Sequence, residues 1–515
     1  MLKIILLLSL IPVYSYYVVL RYRKIMIDSD FCNLILEAND ILHGNFFLND
    51  WQLTGLTFIT TDLPYYVLTT FFSGVTVKSY VYASALMFLV FLCSCYLLIK
   101  DIVSEDNLCK VLFICIVCFP SDFAFMGMRS HTADVTLALL GLYVICNGGK
   151  KNRTLKGHSA FLAWLLFTLA VTGDSLCIPF VILPILCISL VNSIGNYVNN
   201  TALQKDDAII CVIALLSVAA GKILEKLYFV LGTASKNSFL ETKNFIALGQ
   251  VYSKLVLYLQ SLLKLFNADY TGTRLFSYEV VFYFLGVLVV VICLYSVMWN
   301  ICNYFRGREY DCISVSLSLG FLLVSVLCVI TNIYVDLMGT RYYATAPGIL
   351  CVIILRTFSI SVKPHLPVMK LQRITTVLSL FLIIFACHQL FPLPDKSYKA
   401  DPSVVSLINT LRNNSLSQGY SGFWAASSST VYSQNRIRIR AIRKEKSKLA
   451  QYKWFCKNEW YNDESNFIVV NKDGKDSFFT RSDVVKSLGK PVKILSSTPY
   501  LIYVYDKDIS KMIVK

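Results

Sequence analysis

Charge is scarce in this chain: 16% of its 515 residues are Asp, Glu, Lys or Arg, where a soluble protein carries about a quarter. With 56% hydrophobic residues and a mean hydropathy of +0.59, that shortage excludes an ordinary soluble domain. Histidine is scarcer still, at five, and the five show no metal-ligand spacing. No glycine-rich phosphate loop follows a strand and no serine elbow occurs, which excludes P-loop and α/β-hydrolase chemistry. Internal repeats are missing too, and repeated halves are common among transporters. Cysteine is plentiful, at 17, but productive spacing is not. Most cysteines lie in apolar runs such as CSCY (93–96) and CIVC (115–118), where a thiol packs as a small hydrophobe. No CxxC pairs with a second one at zinc spacing, and the C-terminal region holds only Cys456, so no disulfide forms within it.

What the chain has is apolar runs long enough to cross a hydrocarbon core roughly 30 Å thick. Eleven crossings are predicted, at about 2–20, 79–99, 108–120, 133–148, 159–172, 177–195, 208–230, 278–300, 312–331, 345–361 and 374–392. The first also has features of a cleaved signal, with Lys3 before the apolar core and Val13-Tyr14-Ser15 as a cleavage-like site. Apolar residues continuing past Ser15 favour an uncleaved helix. The expected fold is an all-α polytopic membrane domain over 1–392, followed by a small α/β domain over 393–515. In the tail, alternating segments (RIRIRAI, NFIVVNK, LIYVYDK) are punctuated by turn residues.

An odd number of crossings puts the N-terminus inside and the tail outside. The loops GGKKNRTLKGH, RGRE and VKPHLPVMKLQR then fall inside, basic and short as the positive-inside tendency requires. RYRK at 21–24 lies on the opposite side and breaks that pattern. The net charge of +16 is spread over such loops and one C-terminal run, a distribution that fits anionic headgroups and not nucleic acid.

Two outer loops, 21–78 and 231–277, are longer than a simple crossing needs. In the first, Phe31, Leu34, Ile35, Ala38, Ile41 and Leu42 recur at helical spacing, with Glu37, Asn39 and Asp40 on other faces. This predicts an amphipathic helix lying along the membrane interface and ended by Gly44. A second short helix starts at Leu63, with Pro64 in its first turn, and stops at Gly74.

Ionisable groups at a membrane surface are costly and mark candidate sites. Asp30 reads as either a helix cap or a reactive carboxylate, and with Asp28 it forms a D-x-D pair of the kind that holds a metal-bound nucleotide sugar. Asp62 is either the cap before Pro64 or a second reactive acid. Arg129, His131 and Asp134 share RSHTAD at an outer turn, Asp174 reads as a turn residue, and Arg341 precedes a span. The expected topology puts all of them on one face, as required for an anionic, membrane-anchored substrate.

The first loop resembles bacterial glycosyltransferases of the GT-C superfamily, including protein mannosyltransferase-like and aminoarabinose transferase-like enzymes. ANDILHGN (38–45) matches the end of that family's first-loop helix, which sets Asp30 on the family's acid, and TDLPYYVL (61–68) resembles its His-Pro-Pro-Leu-Tyr-Tyr block. Phe31 stands where the family has a second acid, and Thr61-Asp62 replaces its His-Pro. The overall plan is also similar to O-antigen-modifying glucosyltransferases. The resemblance implies an inverting hexosyltransferase of the bacterial cytoplasmic membrane. Such an enzyme moves a sugar from a polyprenyl-phosphate donor to an outer glycan or lipid acceptor, such as lipopolysaccharide or O-antigen. Asp30 would then be the base and Asp62 a supporting carboxylate. Asp28, Arg21, Arg23, Lys24, Arg129, His131 and Arg341 would bind substrate, and a divalent cation is an open element of this expectation. An O-antigen polymerase or ligase, and a flippase for lipid-linked sugars, are the alternatives. In the tail, Trp424, Trp454, Trp460 and Tyr461 are either core aromatics or sugar-stacking ones, and RIRIRAIRKEKSK (436–448) reads as a solvated strand.

Overall fold

The computed structural model describes residues 2–103, 110–111, 113–148, 155–198, 205–232, 235–236, 244–274, 276–277, 279–362, 398–472 and 478–514. The predicted crossing at 374–392 lies outside them. The helices of the first part are α1 (Leu2–Arg23), α2 (Ser29–Leu42), α3 (Leu63–Ser73), α4 (Val77–Val103), α5 (Asp122–Gly127), α6 (Ala133–Gly148) and α7 (Gly157–Gly173). After them come α8 (Leu183–Val198), α9 (Lys205–Gly232), α10 (Val251–Leu265), α11 (Glu279–Phe305), α12 (Cys312–Ile330) and α13 (Ala346–Arg356).

Among the described residues, five helical stretches are long and apolar enough to cross a membrane: α4, Ile178–Val198, α9, α11 and α12. A sixth is added if the short turn Leu337–Tyr343 and Ala346–Ile360, bent by 47°, count as one span. This fits a chain that crosses a bilayer several times, and the described residues supply five or six of the eleven expected crossings by length and composition. Of the stretch predicted at 108–120, the described residues 110–111 and 113–118 are helical. They include a π-turn, Ile114–Cys118, followed by the short α5. Pro120 separates the two, because proline lacks the N–H that would continue the ladder. At one end of the bundle Arg356 joins three elements. It pairs with Asp311 at the start of α12 at 2.6 Å and with Asp101 of α4 at 3.2 Å.

Both predicted first-loop helices form, with their expected stops: Gly44 at φ +98° and Gly74 at φ +67°. The setting of α2 corrects the expectation of a helix lying on the membrane. One face packs on α3 and α4, the tail bonds to Ser29 and Asn33 on another, and Glu37, expected off the apolar stripe, is only 1% exposed. Burial pushes the Glu37 carboxyl well above its usual range.

The tail has α14 (Pro402–Asn413), α15 (Phe423–Tyr432) and α16 (Arg481–Leu488). Its six-stranded sheet has the order β5-β4-β3-β7-β9-β8. These strands are β3 (Gln418–Ser421), β4 (Arg438–Glu445), β5 (Lys448–Gln451), β7 (Phe467–Asn471), β8 (Lys493–Ser497) and β9 (Tyr500–Val504). Strand alternation divides the core in two. Phe467 and Val469 pack on one face with Leu407, Leu411 and Phe423. Ile468 and Val470 pack on the other with Val484 and Leu488.

The tail is tied to the first loop in two places. Ser29 Oγ donates to the carbonyl of Phe423 at 2.7 Å, and Ser427 Oγ donates to Asn33 Oδ1 at 2.6 Å. These bonds match the small polar face of α2 to the serine-rich α15. The second tie is a three-stranded sheet in which β1 (Trp51–Leu53) lies between β2 (Ser235–Lys236) and β6 (Cys456–Lys457). Asp50 adds to it by accepting from the Glu459 N–H at 2.8 Å. Ser29→Val removes the buried hydroxyl that ties α2 to the first turn of α15, and it is expected to cost about 1–3 kcal/mol. A lowered melting temperature and faster proteolysis of the region beyond residue 398 would show it.

Candidate functional site

The N-terminal end of α2 faces α5 and the turn Leu337–Tyr343 across a narrow cleft lined by Asp28, Phe31, Arg129, Ser130, Thr340 and Arg341. The close approach depends on Gly127, since a Cβ there would stand 2.5 Å from the Ala344 Cβ. Asp28, not Asp30, is the helix cap: its Oδ1 accepts from the backbone N–H of Asp30 at 3.1 Å and of Phe31 at 3.4 Å. The other oxygen of Asp28 lies 3.6 Å from Arg129. The first member of the D-x-D pair is therefore engaged by a helix terminus and a guanidinium. Among the described residues, no three His, Cys, Asp or Glu side chains converge as metal ligands.

With the cap supplied by Asp28, the half-buried Asp30 carboxylate has no hydrogen-bond or ion-pair partner among the described residues. Burial first, then the charge of Asp28, push it up to about 6, against the opposing pull of Arg341 and Arg129. Its charge also reaches Tyr452 of the tail, whose hydroxyl is raised chiefly by burial.

The two arginines differ. Arg129 is a hub: it donates to the carbonyls of Met126 at 2.8 Å and Met26 at 3.1 Å, to the Tyr80 hydroxyl at 3.2 Å, and lies over the Phe31 ring at 4.2 Å. Arg341 has a single side-chain hydrogen bond, to the Tyr342 hydroxyl at 3.4 Å, and its buried Nε has no partner. It is the cation with capacity to spare.

Asp62 is 1% exposed and makes no cap bond to its own helix. Its carboxylate instead accepts from the backbone N–H of His131 at 2.9 Å and of Ala133 at 3.3 Å, at the start of α6. Burial raises this carboxyl too, to about 6. His131 adopts a left-handed φ of +55°, unusual for a side chain with a Cβ, and it is held at both ends. Asp62 takes its N–H, and Asp174 meets its Nδ1 at 2.5 Å. Asp174, expected to be a simple turn residue, is therefore a buried partner of His131. Thr61 packs so closely on Gly173 that a Cβ there would lie 2.4 Å from the Thr61 Oγ1. The cluster of Asp62, His131 and Asp174 braces the turn that carries Arg129, and the His131 ring lies 5.1 Å from that of Tyr342, next to Arg341. Asp62→Ala leaves two buried N–H groups unpaired. A loss of about 2–4 kcal/mol is expected, read from the melting temperature of the purified protein.

Of the first-loop cations, Arg21 pairs with Asp122 at 2.5 Å and Arg23 lies over the Tyr398 ring at 4.7 Å. Neither these two nor the half-buried Lys24 lines the cleft. The structure thus brings together Asp28, Asp30, Arg129 and Arg341, sets Asp62 and His131 behind them, and engages Arg21 and Arg23 elsewhere. Sequence reasoning missed Tyr452 and the His131–Asp174 pair, for which only the RSHTAD and TGDSL stretches gave a signal. Compared with known proteins, the chain matches no family model and no curated sequence.

Proposed function

We propose that this chain is a membrane glycosyltransferase that moves a sugar from a polyprenyl-phosphate donor to an acceptor hydroxyl outside the bacterial cytoplasmic membrane. The observation that carries the reading is an uncompensated carboxylate, Asp30, raised to about 6 within reach of the charges of Arg341 and Arg129, which line the cleft beside its neighbours Asp28 and Phe31. A base near neutrality suits removal of a proton from an attacking alcohol. In the proposed step, the acceptor oxygen bonds to the anomeric carbon as the bond from that carbon to the phosphate oxygen breaks. The hydroxyl proton passes to Asp30, and the lipid phosphate leaves with the bonding pair. The growing phosphate charge would meet Arg341, with Arg129 behind it, in a setting where water is largely excluded. Asp30, as an anion, would also favour positive charge developing at the anomeric carbon.

A second, apolar cleft supports the lipid half of the reading. It is lined by Ile116, Phe119, Leu265, Leu285, Val289 and Pro347, with Ser121, the residue that caps α5, at its side. A prenyl chain lying there would keep its phosphate near α5, the helix that also lines the charged cleft.

The test uses purified protein reconstituted in lipid vesicles with a radiolabelled polyprenyl-phosphate hexose and cell-surface glycan extracts. Transfer of label to glycan is expected, with the rate falling about tenfold per unit below pH 6 as Asp30 takes up a proton. Label that crosses vesicle membranes without being transferred would overturn the reading in favour of transport.

A further inference from the structure

The seam between the tail and the first loop encloses a polar cavity of about 410 Å³. Its walls come from the C-terminal half of α2 (Asn39, Asp40), the tail strand β4 (Arg438, Arg440) and the segment that carries Trp460 and Asp463. Counting from Asp30 to Asp40 at 1.5 Å per residue, it lies about 15 Å along α2 from the candidate reactive acid.

Arg440 sets the chemistry of this cavity. It occupies a β4 position whose neighbour two residues on, Ile442, is core, and it is 8% exposed. Its guanidinium lies 4.3 Å from the Trp460 ring centroid, its buried Nε has no hydrogen-bond partner, and among the described residues no carboxylate pairs with it. Each acid of the cavity pairs with a cation other than Arg440, although the charge of Asp463 also acts on Arg440. Asp40 pairs with Lys457 at 3.3 Å, Glu459 with Lys457 at 2.5 Å, and Asp463 with Arg438 at 4.0 Å. A buried cation with no directly paired anion is costly, and the nearby acid is shared with Arg438, so its placement against an open polar cavity leaves room for an anion from outside. Three ringed carboxylates and two amides, Asn39 and Asn435, would repel or waste a bare inorganic anion, whereas they accept from and donate to hydroxyls. The ligand that satisfies both requirements is polyhydroxylated and carries a negative charge.

We propose that this cavity binds an anionic saccharide, with Arg440 meeting its carboxylate or phosphate and Asn39, Asn435 and the cavity carboxylates meeting its hydroxyls. The proposal extends the glycosyl-transfer reading, in which the cavity would hold a charged residue of the acceptor while another residue reaches Asp30. Trp51 and Trp460 meet edge to face at 5.0 Å, so indole fluorescence offers a direct readout.

The experiment titrates the full-length protein in nanodiscs with a glucuronate-containing tetrasaccharide, its carboxyl-reduced neutral form, a phosphorylated tetrasaccharide and inorganic phosphate. One or both charged saccharides are expected to bind at least about tenfold tighter than the neutral form and than inorganic phosphate, and whichever binds identifies the charge. Arg440→Gln is expected to remove that preference with the melting temperature kept. Should that variant not fold, Arg438→Glu at the exposed rim is expected to weaken charged ligands alone. Equal binding of charged and neutral forms, no saccharide binding, or charge preference intact in a folded variant would each overturn the proposal. Binding is read without donor lipid. A protein that transfers sugar yet binds none of these ligands therefore refutes the cavity alone, whereas one that binds them but transfers nothing refutes the transferase reading alone.

Discussion

Asp30→Asn is expected to abolish the proposed sugar transfer and, unusually for a loss of function, to stabilise the protein at neutral pH. The carboxyl is raised from 3.8 to about 6, chiefly by burial. The folded state therefore binds its proton more tightly than the unfolded chain does. The stability associated with this group is fully present below the unfolded value and is lost as pH rises through about 6. At pH 7.5 the native protein carries that loss, and asparagine, which mimics the protonated acid, removes it. A shift of this size corresponds to about 3 kcal/mol at most, and the half-exposed position brings the expected gain to about 1–2 kcal/mol. The gain should vanish near pH 4. Melting curves of both proteins across this range, paired with transfer assays, check both halves. A variant that transfers at the wild-type rate, or that melts lower than wild type at pH 7.5, would remove Asp30 from its assigned role.

The second large effect separates the two arginines of the cleft. Arg341→Gln takes away a guanidinium with one weak side-chain bond and an unpartnered Nε. Little folding energy depends on it, yet under the proposed mechanism it meets the departing phosphate, so the rate should fall about 10²–10³-fold with the melting temperature unchanged. Arg341→Lys keeps the charge without the forked geometry and should recover part of the rate. Arg129→Gln strips a buried hub of its bonds to Met126, Met26 and Tyr80 and leaves Asp28 without its cation. A loss of about 3–5 kcal/mol is expected, so activity and fold should fail together. If Arg341→Gln proves the destabilising change and Arg129→Gln the silent one, the division of labour between them is reversed.

The first-loop helices could be read from sequence because their signals are local: an apolar stripe, a proline in a first turn and glycines at left-handed stops. The change of composition after the last apolar run likewise marks where the sheet region begins. What covers the second face of α2 could not be read. Hydropathy names a face to be buried but not its partner, and Ser29 meets Phe423 across 394 residues of chain. The same distance problem hid the second role of Asp62. A carboxylate before a proline-led helix reads as that helix's cap, and only tertiary structure reveals that it serves the start of another. Arg440 was masked for a different reason. In a run of alternating arginines and isoleucines, every cation reads as outward-facing, and the distant segment carrying Trp460, which covers this one, leaves no trace in the composition of the run.

The small sheet β2-β1-β6 has a consequence for synthesis. Gln52 pairs with Ser235 on one side and with Cys456 on the other, so a strand made among the first sixty residues waits for partners made long after it. One edge of β1 can be covered once residue 236 is made, but until the ribosome has nearly finished the other edge and the Ser29 and Asn33 side of α2 stand open, in need of water or a chaperone. A chain released early would therefore be left with an unfinished entrance to its own cleft, and a quality-control protease would meet that end first.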